Sequence, residues 1–408
     1  MVTRCDIIII MIRIAQTDFV SPIERSAHDS TIYLDYAATT PTDPEVATAM
    51  LPFLTGSGSL GNASSIHRYG REARAAIDEA RDSVAQLIHA DYSELYFTGS
   101  GTESDNLALI GTLTAAPPER NHLVTTAIEH HAVLHSADYL RKRGYEVTIV
   151  PVDRDGLVSL EALSEAVTVR TALVSVMHAN NEIGTIQPVA DIARIAHERG
   201  AKFHTDAVQT VGLLPVDVNA ISCDLLTLSA HKIYGPKGIG ALYIRQGTKV
   251  SPTIYGGAQE REKRAGTENV AGIVGFGRAA QLTVQRQATD AATLVVLRDR
   301  FIADLHAAIP GLCLNGHPTL RLPNSVNVSI PGVEGPTLLM SLDRLGVAAS
   351  SGSACSSGSI EPSHVLKAIG LPDNLASSGI RFTLGRATTE AELQRTVAIL
   401  AEIVSRIS

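Results

Sequence analysis

The sequence predicts an α/β protein: a large domain built on a largely parallel sheet, followed by a smaller α+β domain. Apolar runs of strand length alternate with segments whose apolar residues recur at spacings of three and four, and strands that alternate with helices need crossovers, hence parallel pairing. The runs also lack polar alternation, as expected of strands covered on both faces. In order they are Leu95 to Thr98, His122 to Thr126, Val147 to Pro151, Thr171 to Met177, Lys202 to Thr205 and Leu225 to Leu228. Between them, Arg71 to Ile88, His131 to Arg143 and Val189 to Arg199 carry the helical spacing. After about Ala280 the texture changes to a long amphipathic helix (Leu294 to Ala308), a strand pattern (Ser325 to Ile330) and a terminal helix (Glu390 to Ile407).

The chain has 408 residues, 45% of them apolar and 19% charged, with a net charge of −8. This composition excludes a disordered, collagenous or coiled-coil protein, and the length suits two to three domains. The balance of 42 Asp+Glu against 34 Lys+Arg argues against nucleic acid as the main partner. Cysteines stand at 5, 223, 313 and 355 with no C-x-x-C pair, so neither a disulfide framework nor a closed metal site is indicated. Residues 1–30 form an unmatched leader, read as a frayed segment or a start assigned too early; its apolar run from Ile7 to Ile12 is too short to span a bilayer. The cytoplasm is the expected compartment. The domain expectation is a large domain over 45–285 and a small domain from 31–44 and 286–408, the latter carrying a Ser/Gly-rich loop at 348–359.

Three motifs carry chemistry. The run Leu95 to Thr98 enters Gly99-Ser100-Gly101-Thr102 and then an apolar helix, an arrangement in which backbone N–H groups and a helix N-terminus approach a phosphate. It is neither a Walker loop nor a G-x-G-x-x-G turn. Asp206 follows a buried strand, where a carboxylate needs a cationic or hydrogen-bonding partner. Lys232, after the run Asp224 to Ser229, stands where desolvation favours the free amine and Schiff-base chemistry, though taken alone it could equally be a snorkelling surface lysine. A phosphate cradle, a strand-end Asp and a strand-end Lys in that order meet the needs of pyridoxal 5′-phosphate: an anchor, a partner for the pyridine nitrogen and an amine for the aldehyde.

Further blocks run in the same order: Tyr33-Leu34-Asp35-Tyr36-Ala37-Ala38-Thr39-Thr40-Pro41, Gly101 to Asn106, Glu129-His130, Asn180 to Gly184, His204 to Gln209, His231-Lys232, Arg264 to Asn269, Ser350 to Cys355 and Ile380-Arg381-Phe382. With them the chain, from about Tyr33 to the C-terminus, resembles the cysteine desulfurases of the NifS and IscS type, fold-type-I pyridoxal-phosphate enzymes of the class V aminotransferase group. The resemblance implies a mostly parallel seven-stranded sheet, a homodimer, and conversion of L-cysteine to L-alanine. It implies that Lys232 holds the cofactor and moves protons, that Asp206 pairs with the ring nitrogen and Gln209 with O3′, and that Gly101, Thr102, Ser229 and His231 bind the phosphate, with Thr267 reaching it from the neighbouring subunit. His130 would lie on the ring face and transfer protons, Asn181 would contact cofactor or substrate, and Arg381 would clamp the substrate carboxylate, a task suited to its planar fork. Cys355 selects the reaction, since its thiolate would take the sulfur as a persulfide, and the Ser/Gly setting suits handover to acceptor proteins such as an iron–sulfur scaffold. A selenocysteine lyase or another class V lyase or aminotransferase is the alternative enzyme, and a non-catalytic sulfur-carrier scaffold is the alternative of another kind. No role in membrane or direct nucleic-acid binding is expected, nor a metal.

Overall fold

A computed structural model describes residues 31–56, 61–351 and 362–407. Twelve strands occur there: β1 (Ile32–Tyr33), β2 (Leu95–Thr98), β3 (His122–Thr126), β4 (Glu146–Val150), β5 (Thr171–Ser175), β6 (Lys202–Asp206), β7 (Leu225–Ser229), β8 (Gly240–Ile244), β9 (Cys313–Leu314), β10 (Ser325–Ser329), β11 (Val347–Ala348) and β12 (Ile380–Thr383). Seven form the large sheet in the order β2-β8-β7-β6-β5-β3-β4. All pairings are parallel except those of β8, which lies antiparallel to both β2 and β7.

Successive strand residues face opposite sides of a sheet, so a two-faced apolar strand divides its residues between two cores. Leu123, Leu173, Leu225 and Leu242 pack with Leu107, Leu113, Val133 and Leu140 on one side. Their chain neighbours Val124, Val174, Leu226 and Tyr243 pack on the other with Ile77, Val84, Ile192 and Phe276. A separate core joins Leu294, Phe301, Val326, Val328, Leu338, Phe382 and Leu400 with Ile32 and Leu34 of the N-terminal arm. There β10 pairs antiparallel with β12 and β9, and β1 runs parallel to β11.

The helix anticipated at Leu294 to Ala308 is the last part of a single helix, Val270–Ala308, of 39 residues. It crosses from the large core to the small one without a break at 285. Its glycines conceal it in the sequence because they suggest a loop, yet they serve close packing. A Cβ at Gly277 would sit 2.7 Å from Ala80 Cα, on the helix Arg68–Leu87. Residues 1–30, which include Cys5, lie outside the described residues.

Candidate active site

The C-terminal ends of β2, β3, β5, β6 and β7 converge, the usual place for a ligand in an open α/β sheet. A cavity of about 400 Å³ opens there, lined by Gly101, Thr102, His130, Asn181, Asp206, Gln209, Ser229, His231, Lys232 and Arg381 among others. Of the site residues expected from sequence, only two are not in this lining. Thr267 is exposed elsewhere on the chain, and Cys355 lies outside the described residues.

The phosphate cradle expected from sequence is the start of the helix Gly101–Ala115. Ser100 caps it, its Oγ accepting from Glu103 N–H at 3.1 Å, and its carbonyl accepts from Ser104 N–H at 3.1 Å. The N–H groups of Gly101 and Thr102 precede Ser104, the first N–H with a helical acceptor, and are available for an anion. Space at 101 is tight, since a Cβ there would approach Val208 Cγ2 to 3.0 Å.

Asp206 is buried at the end of β6, where its Oδ1 accepts from Val208 N–H at 2.8 Å. Burial is the main reason its carboxyl is raised to about 6, against the lowering effects of that hydrogen bond and of Lys232. A carboxylate so poorly partnered suits a cationic ring nitrogen. Beneath it, His204 bridges three strands, Nδ1 to Ser175 Oγ at 2.9 Å and Nε2 to Thr227 Oγ1 at 3.0 Å. Burial drives this imidazole down to about 3. Asp105 is buried beside the pair, its Oδ1 3.7 Å from His204 Nε2 and without a hydrogen-bond partner among the described residues, and desolvation with the nearby Asp206 holds it well above the usual carboxylate range.

Lys232 follows β7 on a single turn, and its Nζ donates to the carbonyls of Ala37 and, at 2.8 Å, Ala38. The arm holds this turn elsewhere too, since Thr40 N–H donates to His231 carbonyl at 3.0 Å and His231 Nδ1 meets Thr39 Oγ1 at 3.1 Å. His130 caps the helix His131–Lys142, Nδ1 accepting from Ala132 N–H at 3.2 Å. That bond assigns the ring proton to Nε2. Burial first, then Lys232, depresses its pKa to about 4, so it is neutral at ordinary pH.

Residues 32–396 match the class-V aminotransferase family. The cysteine desulfurase IscS of Dictyoglomus turgidum is 51% identical over 376 residues, 92% of this chain and 95% of the relative. This chain belongs to the class-V aminotransferase family, among its cysteine desulfurases. Two solved structures agree with that placement. A NifS-like protein superposes with a TM-score of 0.86 at 38% identity, covering 92% of this chain and all of the other. SspA, solved in complex with cysteine, gives 0.77 at 35% identity over 88% of this chain and 100% of its own. No helix among the described residues is long and apolar enough to cross a membrane, and none of their His, Cys, Asp and Glu groups could hold a metal.

Some lining residues of this desulfurase site carry no role in the sequence reading. Asp105 stands one helical turn after Gly101, a spacing that places both on one face, and that is the available signal. Ala37 and Ala38 act through backbone carbonyls, which no side-chain pattern reveals.

The buried histidines predict an acid limit. His178 is lowered to about 4 and His204 to about 3, both by burial. The unfolded chain therefore binds more protons than the folded one below the ordinary histidine value, so stability from these groups is complete above about 6.5 and is lost as pH falls through about 4. Glu129, raised to about 8 by burial, acts oppositely, its contribution fading as pH rises from its ordinary value through 8. Thermal unfolding of the cofactor-free enzyme should show a Tm that falls between pH 6.5 and 4. The fall should be shallower in His178→Gln, and an unchanged slope in that variant would remove His178 from the account.

Proposed function

We propose that this desulfurase converts L-cysteine to L-alanine and transfers the sulfur to Cys355 as a persulfide, with pyridoxal 5′-phosphate held in the cavity. The convergence of Lys232, Asp206, the Gly101–Thr102 helix start and Arg381 on one cavity carries this reading. The residues fit the cofactor: unbonded N–H groups stand for its phosphate, an under-partnered carboxylate for its ring nitrogen, an amine for its aldehyde. Bound there, it supplies an electron sink for negative charge developing on the substrate carbon.

The chain's own groups supply the rest. Gly101 and Thr102 N–H groups, with Ser229 and His231, hold the phosphate. Asp206 would keep the ring nitrogen protonated, and Gln209, whose Nε2 donates to the Ala37 carbonyl at 3.1 Å, would pair with O3′. Lys232 Nζ carries the proton at the substrate Cα, and the neutral His130 can accept or return one at Nε2. Arg381 receives the α-carboxylate, with Asn181 beside it. The Cys355 thiolate attacks the substrate sulfur; the S–S bond forms as the C–S bond breaks, and the electron pair left on carbon is protonated to give alanine.

The enzyme would act as a homodimer. Thr267 is exposed on its own chain, and Ile66 (92% exposed) and Tyr255 (79%) offer apolar surface for a partner copy. Acceptor proteins, an iron–sulfur scaffold among them, would take the sulfur onward in the reducing cytoplasm.

Cys355→Ala tests the reading. Sulfur release from L-cysteine should fall to background while the visible absorbance of the bound cofactor stays, and retained sulfide production would rule out the persulfide route.

A further inference from the structure

Arg381 lies on β12, lines the cavity and has a side chain only 4% exposed. Its Nη2 donates to Asp35 Oδ1 at 2.8 Å and its Nη1 to the Asn181 carbonyl at 2.9 Å. Its Nε is buried and has no partner among the described residues. A guanidinium presents five donors in a rigid plane, so two anchoring bonds fix the plane and leave the Nε–H edge to be filled.

Asp35 is itself firmly placed. The arm runs beside β12, with Thr383 N–H donating to Leu34 carbonyl at 2.8 Å and Ala37 N–H to Thr383 Oγ1 at 2.8 Å. Tyr33 Oη closes the turn, its one proton shared between the carbonyls of Asp35 at 3.1 Å and Thr39 at 3.0 Å. The same few residues give Lys232 its carbonyl acceptors. A single backbone segment thus sets the position of the amine and of the arginine.

We infer that Asp35 is a positioning residue for substrate recognition: by pairing with Nη2 it holds the Arg381 plane so that the free edge meets the α-carboxylate of the amino-acid substrate. This rests on the reading of Arg381 as the carboxylate clamp. The negative charge of Asp35 opposes an incoming carboxylate, so any benefit it brings is orientation, and the two effects separate by substitution. Asp35→Ala removes the acceptor. Asp35→Asn removes the charge and keeps an oxygen that can accept from Nη2.

The test measures KM and kcat for L-cysteine in the cofactor-loaded enzyme, with Tm and visible absorbance as checks of folding and loading. D35A should raise KM about tenfold, the scale of one hydrogen bond to a charged group, with kcat within about threefold. D35N should return KM to within about threefold of wild type. Should D35A be recovered unfolded, D35S, whose hydroxyl is too short to reach Nη2, takes its place. A KM in D35A that is unchanged or lower, while R381K raises it, overturns the role of Asp35 and leaves the clamp standing. A KM unchanged in R381K overturns the clamp itself.

Discussion

Lys232→Ala is expected to lose at least about a thousandfold in turnover of L-cysteine and to lose the visible absorbance of bound cofactor, with its folded circular-dichroism signal intact. The loss is large because no other amine stands in the cavity: among its described lining residues Lys232 is the sole lysine. The fold should survive, because the turn that carries Lys232 is held by backbone bonds its side chain does not make, Thr40 N–H to His231 carbonyl at 3.0 Å and Gly235 N–H to Ala230 carbonyl at 2.9 Å. Turnover and an absorbance scan on the same sample check this. A variant that passed sulfur normally without the absorbance would point to a scaffold that carries sulfur without chemistry of its own.

Asp206→Asn should reduce kcat by about a hundredfold or more while making the cofactor-free protein more stable near neutral pH. A neutral amide cannot hold a cationic ring nitrogen, and charge stabilisation in a water-poor site is commonly the largest catalytic contribution. The stability gain has the opposite sign because the carboxylate is raised to about 6 by burial. Its folded form favours the proton, so wild-type stability falls as pH rises from the ordinary carboxylate value through about 6, and the amide is spared that fall. Paired melting curves of the two cofactor-free proteins between pH 5 and 8 measure the difference. A destabilised D206N at pH 7 would contradict this assignment of the burial cost.

The large sheet was legible because two-sided burial leaves an unbroken apolar run; β2, β3 and β7 lie within a residue of their expected ends. No strand was read at β8, Gly240-Ala241-Leu242-Tyr243-Ile244, and its antiparallel insertion between β2 and β7 is a matter of topology that no local pattern carries. Only the last part of the long helix was read, because its first part carries glycines that serve close packing, Gly277 against Ala80 among them. Another hidden feature is the turn at Glu260, Arg261 and Glu262, all with φ between 44° and 64°. It is held by the buried pair of Glu260 with Arg81 at 2.7 Å, a contact 179 residues apart in sequence. The side chains of the site were readable where their chemistry is unusual for their place, as with Asp206 and Lys232 at strand ends. Asp35 and Asp105 were not, because the side chains they face, Arg381 and His204, are brought beside them only by folding.

In the proposed reaction sulfur passes from the substrate to Cys355 as alanine forms. Mass spectrometry of the Cys355 peptide after a single turnover with isotopically labelled L-cysteine, with alanine measured in the same quench, tests it most directly. One labelled sulfur atom added to Cys355 for each alanine formed is the predicted result. Alanine accompanied by free labelled sulfide, with Cys355 unmodified, would contradict it.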